Sequence, residues 1–318
     1  MRFIIFLLLI HCAVTFLPTN YVFAAESVDR PWTVEGDVLK TDQPGQMVSR
    51  TSLKVMTFNI RWQGQDANNF VDSAFEDRKP LVVDVLTKFD ADVIGLQESS
   101  IEQRAALAPE LTGFGMFPLP VEAGDECILY RLKRFDLKAS GHEDLRRVPE
   151  QAGTNIGVRD IVWVYLQDRV TGKTFYVLNL HADHRSSERG RQLDGVLIGE
   201  WIRKREFAAP VILTGDFNGQ PDQPRYLYLT GQKAYPGSDG ITVKMPMPML
   251  DTFAEANPNA RYPGTINPGY RGKKNTTRID FVFVPLGVKV IDSKIIYYNV
   301  HGSYPSDHFP LFSEFELE

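Results

Sequence analysis

Five short apolar runs in this chain each end on a residue that can bind a metal or move a proton, and the ends of neighbouring strands can meet along one rim of a sheet. The runs are Leu53–Phe58 ending at Asn59, Val93–Gln97 at Glu98, Phe175–Leu180 at His181, Val211–Gly215 at Asp216, and Arg278–Ile279 at Asp280. A further cluster, Ser306-Asp307-His308, precedes the last apolar stretch. Short runs rich in Val, Ile and Phe read as buried strands. Neighbouring strands would then place carboxylates, amides and imidazoles side by side.

The first residues carry a charge at Arg2, an apolar stretch from Phe3 to Leu17 and a small-residue cleavage pattern at Val22-Phe23-Ala24. That is the pattern of a secretory signal peptide over residues 1–24, too short and too interrupted to span a bilayer. The expectation is an exported protein, secreted or periplasmic, with cleavage near Ala24. Without that segment Cys127 is the only cysteine, so no internal disulfide can form and stability must come from the core. Residues 25–52 are polar and read as a leader, and 53–318, with no Gly/Ser-rich or charged linker, as one domain. The formal net charge of −5 provides no global attraction for nucleic acid or anionic membrane. Local basic groups remain. Arg185, Arg189 and Arg191 follow one candidate site strand, and Lys273, Lys274 and Arg278 precede another, which suggests phosphate contact.

Leu81, Val82, Val85, Leu86 and Phe89 recur at helical spacing, with Pro80 suited to a first turn. A second helix is expected from about Arg189 to Phe207, ended by Pro210. Residues 127–131 and 159–167 read as strands, the latter turning through Val170-Thr171-Gly172-Lys173 into the strand that ends at His181. Residues 231–248 show no periodicity and read as an irregular loop. Strands outnumber helices, and hairpins are mixed with crossovers. Two mostly antiparallel sheets packed face to face with helices outside would satisfy that pattern.

Glu98 and Asp216 are hard oxygen donors, and Asn59, Asn218 and Asp307 add more; such a set suits Mg²⁺ or Mn²⁺ rather than zinc. A lone Asp at a strand end is ordinarily a turn or cap residue. Several independent ends of one kind argue otherwise. In Gly215-Asp216-Phe217-Asn218 an extended backbone would send the carboxylate and the amide out on one face, able to hold a water and an anionic oxygen together. His308 is a structural histidine or, with Asp280 fixing its tautomer, a group that handles protons or phosphate. His181 and His184 match no strong zinc spacing.

Together these segments resemble the endonuclease/exonuclease/phosphatase superfamily, which includes deoxyribonuclease I, abasic-site endonucleases, neutral sphingomyelinases and inositol polyphosphate 5-phosphatases. The matching stretches are Lys54–Arg61, Asp92–Glu98, Leu178–His184, Gly215–Asn218, Arg278–Phe281 and Ser306–Pro310, in family order. The resemblance implies an α/β (α+β) four-layer sandwich of the deoxyribonuclease I kind with a divalent-metal site, Mg²⁺ or Mn²⁺, at one rim. Glu98 would be the main metal ligand, with Asn59 and Asp307 beside it. Asp216 would activate the water, Asn218 and His308 would stabilise the phosphate, Asp280 would pair with His308, and His181 would contact the phosphate or assist the leaving group. Arg159, His184 and Arg191 are candidate phosphate contacts, Arg159 being equally an ordinary sheet-edge arginine.

The pattern is similar to a secreted bacterial branch, with two departures at loops expected to border the substrate. Gly264-Thr265-Ile266 replaces the usual Gly-Thr-Phe, and Glu143–Arg147 lacks a Trp-Leu-Ser-Glu pattern. The Pro-Ala-Trp-Cys-Asp-Arg signature of inositol 5-phosphatases is missing. The expected activity is hydrolysis of a phosphodiester or phosphomonoester, the substrate being a small molecule, a lipid headgroup or a nucleic acid. A nuclease and a sphingomyelinase-like phosphodiesterase are the enzyme alternatives, and a phosphate-ligand binding protein retaining the fold is the other class. A sphingomyelinase would need an apolar membrane-contact loop, and Met245–Met249 reads more readily as a buried one. No obligate protein partner is evident, and a monomer is expected.

Overall fold

The structure is a computed structural model that describes residues 50–63, 74–118, 124–145 and 158–318, with only the backbone of Val158 and Arg159. The expected signal peptide and most of the leader lie outside the described residues.

The chain forms β1 (Thr51–Asn59), α1 (Phe75–Lys88), β2 (Val93–Gln97), α2 (Ile101–Leu107), β3 (Phe114–Phe117), β4 (Cys127–Arg131), β5 (Phe135–Asp144), β6 (Val158–Asp168) and β7 (Thr174–Ala182). It continues with α3 (Glu188–Arg205), β8 (Val211–Asp216), α4 (Pro224–Leu229), the two-residue strands β9 (Tyr235–Pro236) and β10 (Thr242–Val243), β11 (Met249–Asp251), α5 (Thr252–Ala256), β12 (Asp280–Pro285), β13 (Lys289–Ile295) and β14 (Leu311–Leu317). Two six-stranded sheets result, in the orders β13-β14-β1-β2-β4-β3 and β11-β12-β8-β7-β6-β5. Every neighbouring pair is antiparallel except β1 with β2 and β7 with β8.

Those parallel pairs decide where the chemistry goes. Each needs a crossover helix, α1 or α3, and each brings two strand C-termini to the same rim. The antiparallel neighbours β12 and β14 reach that rim by their N-termini. Asp280 therefore begins its strand, opposite Asp216 in the β8 ladder, although the sequence suggested that it ends one.

Side chains alternate with period two along each strand. Leu53, Val55, Val93, Val177, Ile212, Val282 and Phe315 face the other sheet in one apolar layer. Met56, Phe58, Ile94 and Leu96 pack outward with Val82, Val85 and Leu86 of α1. Leu178, Leu180 and Leu213 pack outward with Ile198, Trp201 and Ile202 of α3. Helix, sheet, sheet, helix is the order of layers.

Towards the rim the inward series changes from apolar to polar. Gln97 donates from Nε2 to Thr57 Oγ1 (3.0 Å) and to Asn179 Oδ1 (2.7 Å), crossing from one sheet to the other. Asn179 Nδ2 donates to the Leu96 and Cys127 carbonyls, and Thr214 Oγ1 donates to the Asn179 side-chain oxygen. All four side chains are fully buried. A Cβ at Gly95 would stand 2.3 Å from Thr214 Oγ1 and 2.5 Å from Asn179 Oδ1, so this network occupies space that only glycine leaves open.

Three expectations change. Helix α1 starts at Phe75, which puts exposed Pro80 in its second turn rather than its first. Glu143 and Asp144 belong to strand β5, whose polar, exposed pattern is that of a sheet edge and lacks an apolar run. Arg278 is no free basic group: it is buried and paired with Asp251 at 2.7 Å, its guanidinium over Phe253 and Phe281. Met245 and Met249 are buried as expected of a packed loop, while Met247 is exposed. Together with Ile202, Phe207 and Leu286 they line an apolar cavity of about 390 Å³. That cavity includes Val211 and Pro285, at the ends of β8 and β12 remote from Asp216 and Asp280.

The network makes a stability prediction. Gly95→Ala should destabilise the protein by about 1–3 kcal/mol, the usual range for forced overpacking. Urea unfolding followed by circular dichroism measures it; an unchanged midpoint would mean that the amide bridge moves aside freely.

Candidate active site

The rim assembles by register. His181 lies opposite Asp216 in the parallel ladder, and Asp280 opposite it in the antiparallel one. Asn59, the last residue of β1, donates from Nδ2 to Glu98 Oε1 and Asp216 Oδ2, both at 3.0 Å, and so joins the two sheets. Asp216 Oδ1 accepts from the Asn218 backbone N–H at 2.8 Å. Its other oxygen stands 3.5 Å from His181 Nε2 and 3.8 Å from His308 Nε2, so one carboxylate lies between two imidazoles. Asn218 Nδ2 reaches both the Ala182 carbonyl (2.8 Å) and His181 Nε2 (3.0 Å). His308 Nδ1 meets Asp280 Oδ2 at 3.0 Å.

Two site residues hold left-handed backbone. Glu98 has φ 55° and Asn218 φ 44°. Asn tolerates that region; for Glu it is uncommon and costs on the order of 1–3 kcal/mol. The turn at Glu98 is held by Trp62 N–H, which donates to Glu98 Oε2 at 2.7 Å. At Gly215, a Cβ would stand 2.3 Å from the Leu180 carbonyl oxygen, so the close approach of β7 and β8 beneath the site excludes any side chain there.

Three buried arginines clamp the loops that carry these residues. Arg78 donates to the carbonyls of Ile60 (2.7 Å) and Pro305 (2.8 Å), tying the exit of β1 to the approach to Asp307 and His308. Arg104 binds the carbonyls of Ser99 and Gly124, fixing the chain after Glu98. Arg225 pairs with buried Asp194 and donates to the carbonyls of Phe217 (2.6 Å) and Asp183 (3.3 Å), which holds the loops after β8 and β7 together. Sequence reasoning missed all three. An arginine at helical spacing carries no sign of burial until its carbonyl partners converge.

The electrostatics separate the carboxyl groups. Burial opposes the charge on Glu98, yet the His181 charge and the hydrogen bonds from Asn59 and Trp62 hold its carboxyl below the usual range. Burial also disfavours imidazolium at His308, but the facing Asp280 and Asp216 charges prevail and keep it protonated well above the ordinary histidine range. Burial pushes the Asp280 carboxyl up, and Asp216 adds to that. The ligand atoms of Asp216, Asp280 and His308 lie within 4.8 Å of one another, close enough to surround an ion.

Glu126, just before β4, is a residue that sequence reasoning did not single out. It is buried, and burial lifts its carboxyl to about 7, the His181 charge opposing and Asp160 adding to the rise. Its signal was slight: one acidic residue immediately before the apolar run Cys127–Tyr130.

Of the candidate residues, Asn59, Glu98, His181, Asp216, Asn218, Asp280 and His308 form this one cluster. Asp307 is joined to it through Arg61, whose Nη1 donates to Asp307 Oδ2 while its backbone N–H donates to Asn59 Oδ1. His184 has an exposed side chain 3.8 Å from Asp183, and Arg191 donates to the His184 carbonyl. Neither has a direct bond to the cluster among the described contacts. Arg159 lies at the start of β6 with its side chain outside the described residues.

A four-layer sandwich carries a rim on which carboxylates, amides and two imidazoles converge. The sequence profile of the Endonuclease/Exonuclease/phosphatase family matches residues 56–308, and the chain belongs to that family and with it to the phosphoric ester hydrolases. Among solved structures, an endonuclease/exonuclease/phosphatase family protein of Bacteroides thetaiotaomicron is similar at 25% identity and TM-score 0.67, covering 85% of this chain and 96% of its own. A mannosyl-6-phosphatase of the same organism matches at 24% identity and TM-score 0.65, over 83% of this chain and 99% of its own. The catalytic domain of human Nocturnin, with bound sulfate, shares the fold at 19% identity and TM-score 0.61, over 84% and 96%. No curated protein matches by sequence.

Glu126 provides a test independent of activity. Because its folded carboxyl titrates at about 7 against an ordinary 4.5, the folded state binds its proton more tightly than the unfolded chain. Its stability contribution is therefore complete below pH 4.5 and is lost as pH rises to 7. Glu126→Gln should remove that loss, gaining about 2–4 kcal/mol relative to wild type between pH 5 and pH 8. Denaturant unfolding of both proteins at the two pH values decides it; parallel profiles would place the carboxyl at its ordinary value.

Proposed function

We propose that this protein is an exported, divalent-metal-dependent phosphohydrolase in which water attacks phosphorus in line with the departing ester oxygen. The observation that carries the reading is the Asp216 carboxylate, buried, oriented by the Asn218 N–H and Asn59, and flanked by two imidazoles.

The donor set suits a hard cation. Glu98 is a hard oxygen donor held ionised at the rim, bonded to Asn59, with Asp307 tied to Asn59 through Arg61, so these residues would hold Mg²⁺ or Mn²⁺. When bound, such an ion supplies Lewis-acid neutralisation of charge on the phosphate oxygens. Asp216 accepts a proton from the attacking water at Oδ2. Asn218 Nδ2 and protonated His308 Nε2 donate to the phosphate oxygens that gain charge, and Asp280 keeps the imidazole oriented through Nδ1. His181, whose charge acts on buried Glu126, would give its proton to the departing alkoxide. The oxygen of water bonds to phosphorus, the ester P–O bond breaks, and the alcohol leaves.

The formal net charge of −5 and the engagement of several cations near the rim favour a compact phosphate ester over a polynucleotide. Arg185 binds Asp183, Arg189 donates to the carbonyls of Pro236 and Gly237, and Arg278 is held by Asp251. Arg278 is thereby withdrawn from solvent, and the charge of Arg185, although exposed, is paired, which lessens their pull on a polyanion. Export rests on the segment over residues 1–24, and N-terminal sequencing of protein recovered outside the cytoplasm should begin near Ala25.

The defining experiment compares sugar phosphates, bis-p-nitrophenyl phosphate, sphingomyelin and plasmid DNA with Mg²⁺, Mn²⁺ or EDTA. Small esters should turn over only with metal, and Asp216→Asn, His308→Ala and Glu98→Gln should each lower kcat by at least about a hundredfold. Efficient nicking of DNA would overturn the compact-substrate reading, and metal-independent turnover would overturn the metal.

A further inference from the structure

We propose that Trp62 determines the specificity of this site by stacking its indole on a ring carried by the leaving group of the phosphate ester. The inference rests on the phosphohydrolase reading and adds the chemistry of the group recognised.

Trp62 is 43% exposed, although tryptophan is highly buried on average. Its backbone is nevertheless among the most firmly held on the rim. The Trp62 N–H donates to Glu98 Oε2, and the preceding carbonyl, that of Arg61, accepts from Gln103 Nε2 (2.8 Å) and Arg78 Nη2 (3.3 Å). Arg61 itself adopts φ 60°, its N–H bound to Asn59 and its guanidinium to Asp307. From Asn59 to Trp62 every residue is thus pinned to the cluster or to a buried clamp. Among the described residues the indole stacks on no other ring.

A pinned backbone that displays a large aromatic face to solvent, one hydrogen bond from Glu98, is costly as a surface and useful as a platform. The arrangement is preorganised: a ring arriving with the phosphate would meet an indole whose main chain does not have to be ordered first. Val170, Ile241 and Leu286 are more exposed, but they are aliphatic and lack any bond to the rim. The ligand chemistry is a ring with an apolar face, which a pyranose and a nucleobase both offer.

The test measures kcat/KM of wild type, Trp62→Ala and Trp62→Phe on glucose 6-phosphate, adenosine 5′-monophosphate and ringless glycerol 1-phosphate. For at least one ring-bearing ester, Trp62→Ala should lose about tenfold more than for glycerol 1-phosphate, through KM, and Phe should restore most of it. Which ester responds separates sugar from base. An equal loss on all three, or no loss, overturns the proposal, since a residue that merely steadies Glu98 would affect every ester alike. Calorimetric titration of the same compounds with EDTA present keeps the two readings apart. If nothing is turned over, the hydrolase reading fails by itself. Ring-selective binding that Trp62→Ala abolishes would still support the stacking role, and ring-independent binding would overturn it.

Discussion

The amide bridge between Gln97 and Asn179 is the interaction on which the rest of this architecture depends. Two sheets facing each other through an apolar layer can slide, because dispersion and hydrophobic burial have no direction. A buried carboxamide has direction, and leaving one unpaired costs about 1–3 kcal/mol. By joining β2 to β7, with Thr57 and Thr214 completing the set, the bridge fixes the offset between the sheets one step below the rim. Asn59 can then reach Asp216 from the opposite sheet.

The layer between the sheets is graded by strand parity. Moving along β1, the inward side chains are Leu53, Val55, Thr57 and Asn59; along β7 they include Val177, Asn179 and His181; along β8 they are Ile212, Thr214 and Asp216. Apolar burial stabilises one end, hydrogen bonds satisfy the middle, and charge is tolerated only where solvent and substrate arrive. A one-residue slip in any strand would turn its rim residue to the outer face.

The loops beyond the strands needed a different device. Arg78, Arg104 and Arg225 fill the space beneath them and gather their carbonyls, since a guanidinium offers several fixed donors to converging acceptors. This scaffold holds Glu98 and Asn218 in left-handed conformations and lets an exposed indole stand on a fixed main chain. Order at the rim comes from below. Around Asp216 the same burial acts oppositely on different groups: His308 keeps its proton through facing carboxylates, Glu98 stays ionised through hydrogen bonds and His181, and Glu126, lacking comparable support, is pushed towards neutrality.

The amino-acid order made the strand ends and the polar residues on them legible, because apolar runs and the residues that stop them are local features governed by a period of two. It also determined the sandwich class, since runs that short cannot be buried without partners on both faces. Asp280 was placed at the wrong end of its strand, because direction in a sheet depends on a partner, here β8. The polar residues inside the runs, Thr57, Gln97, Asn179 and Thr214, were visible yet carried no sign of function, for a hydrogen bond across two sheets has no signature in either strand. The edge strand β5 and the buried arginines escaped for the same reason: exposure and burial are properties of the packed assembly. That Glu126 stands in the field of His181 and that Asp216 lies between two imidazoles follows from packing alone, because these fields depend on distances between segments far apart in the chain.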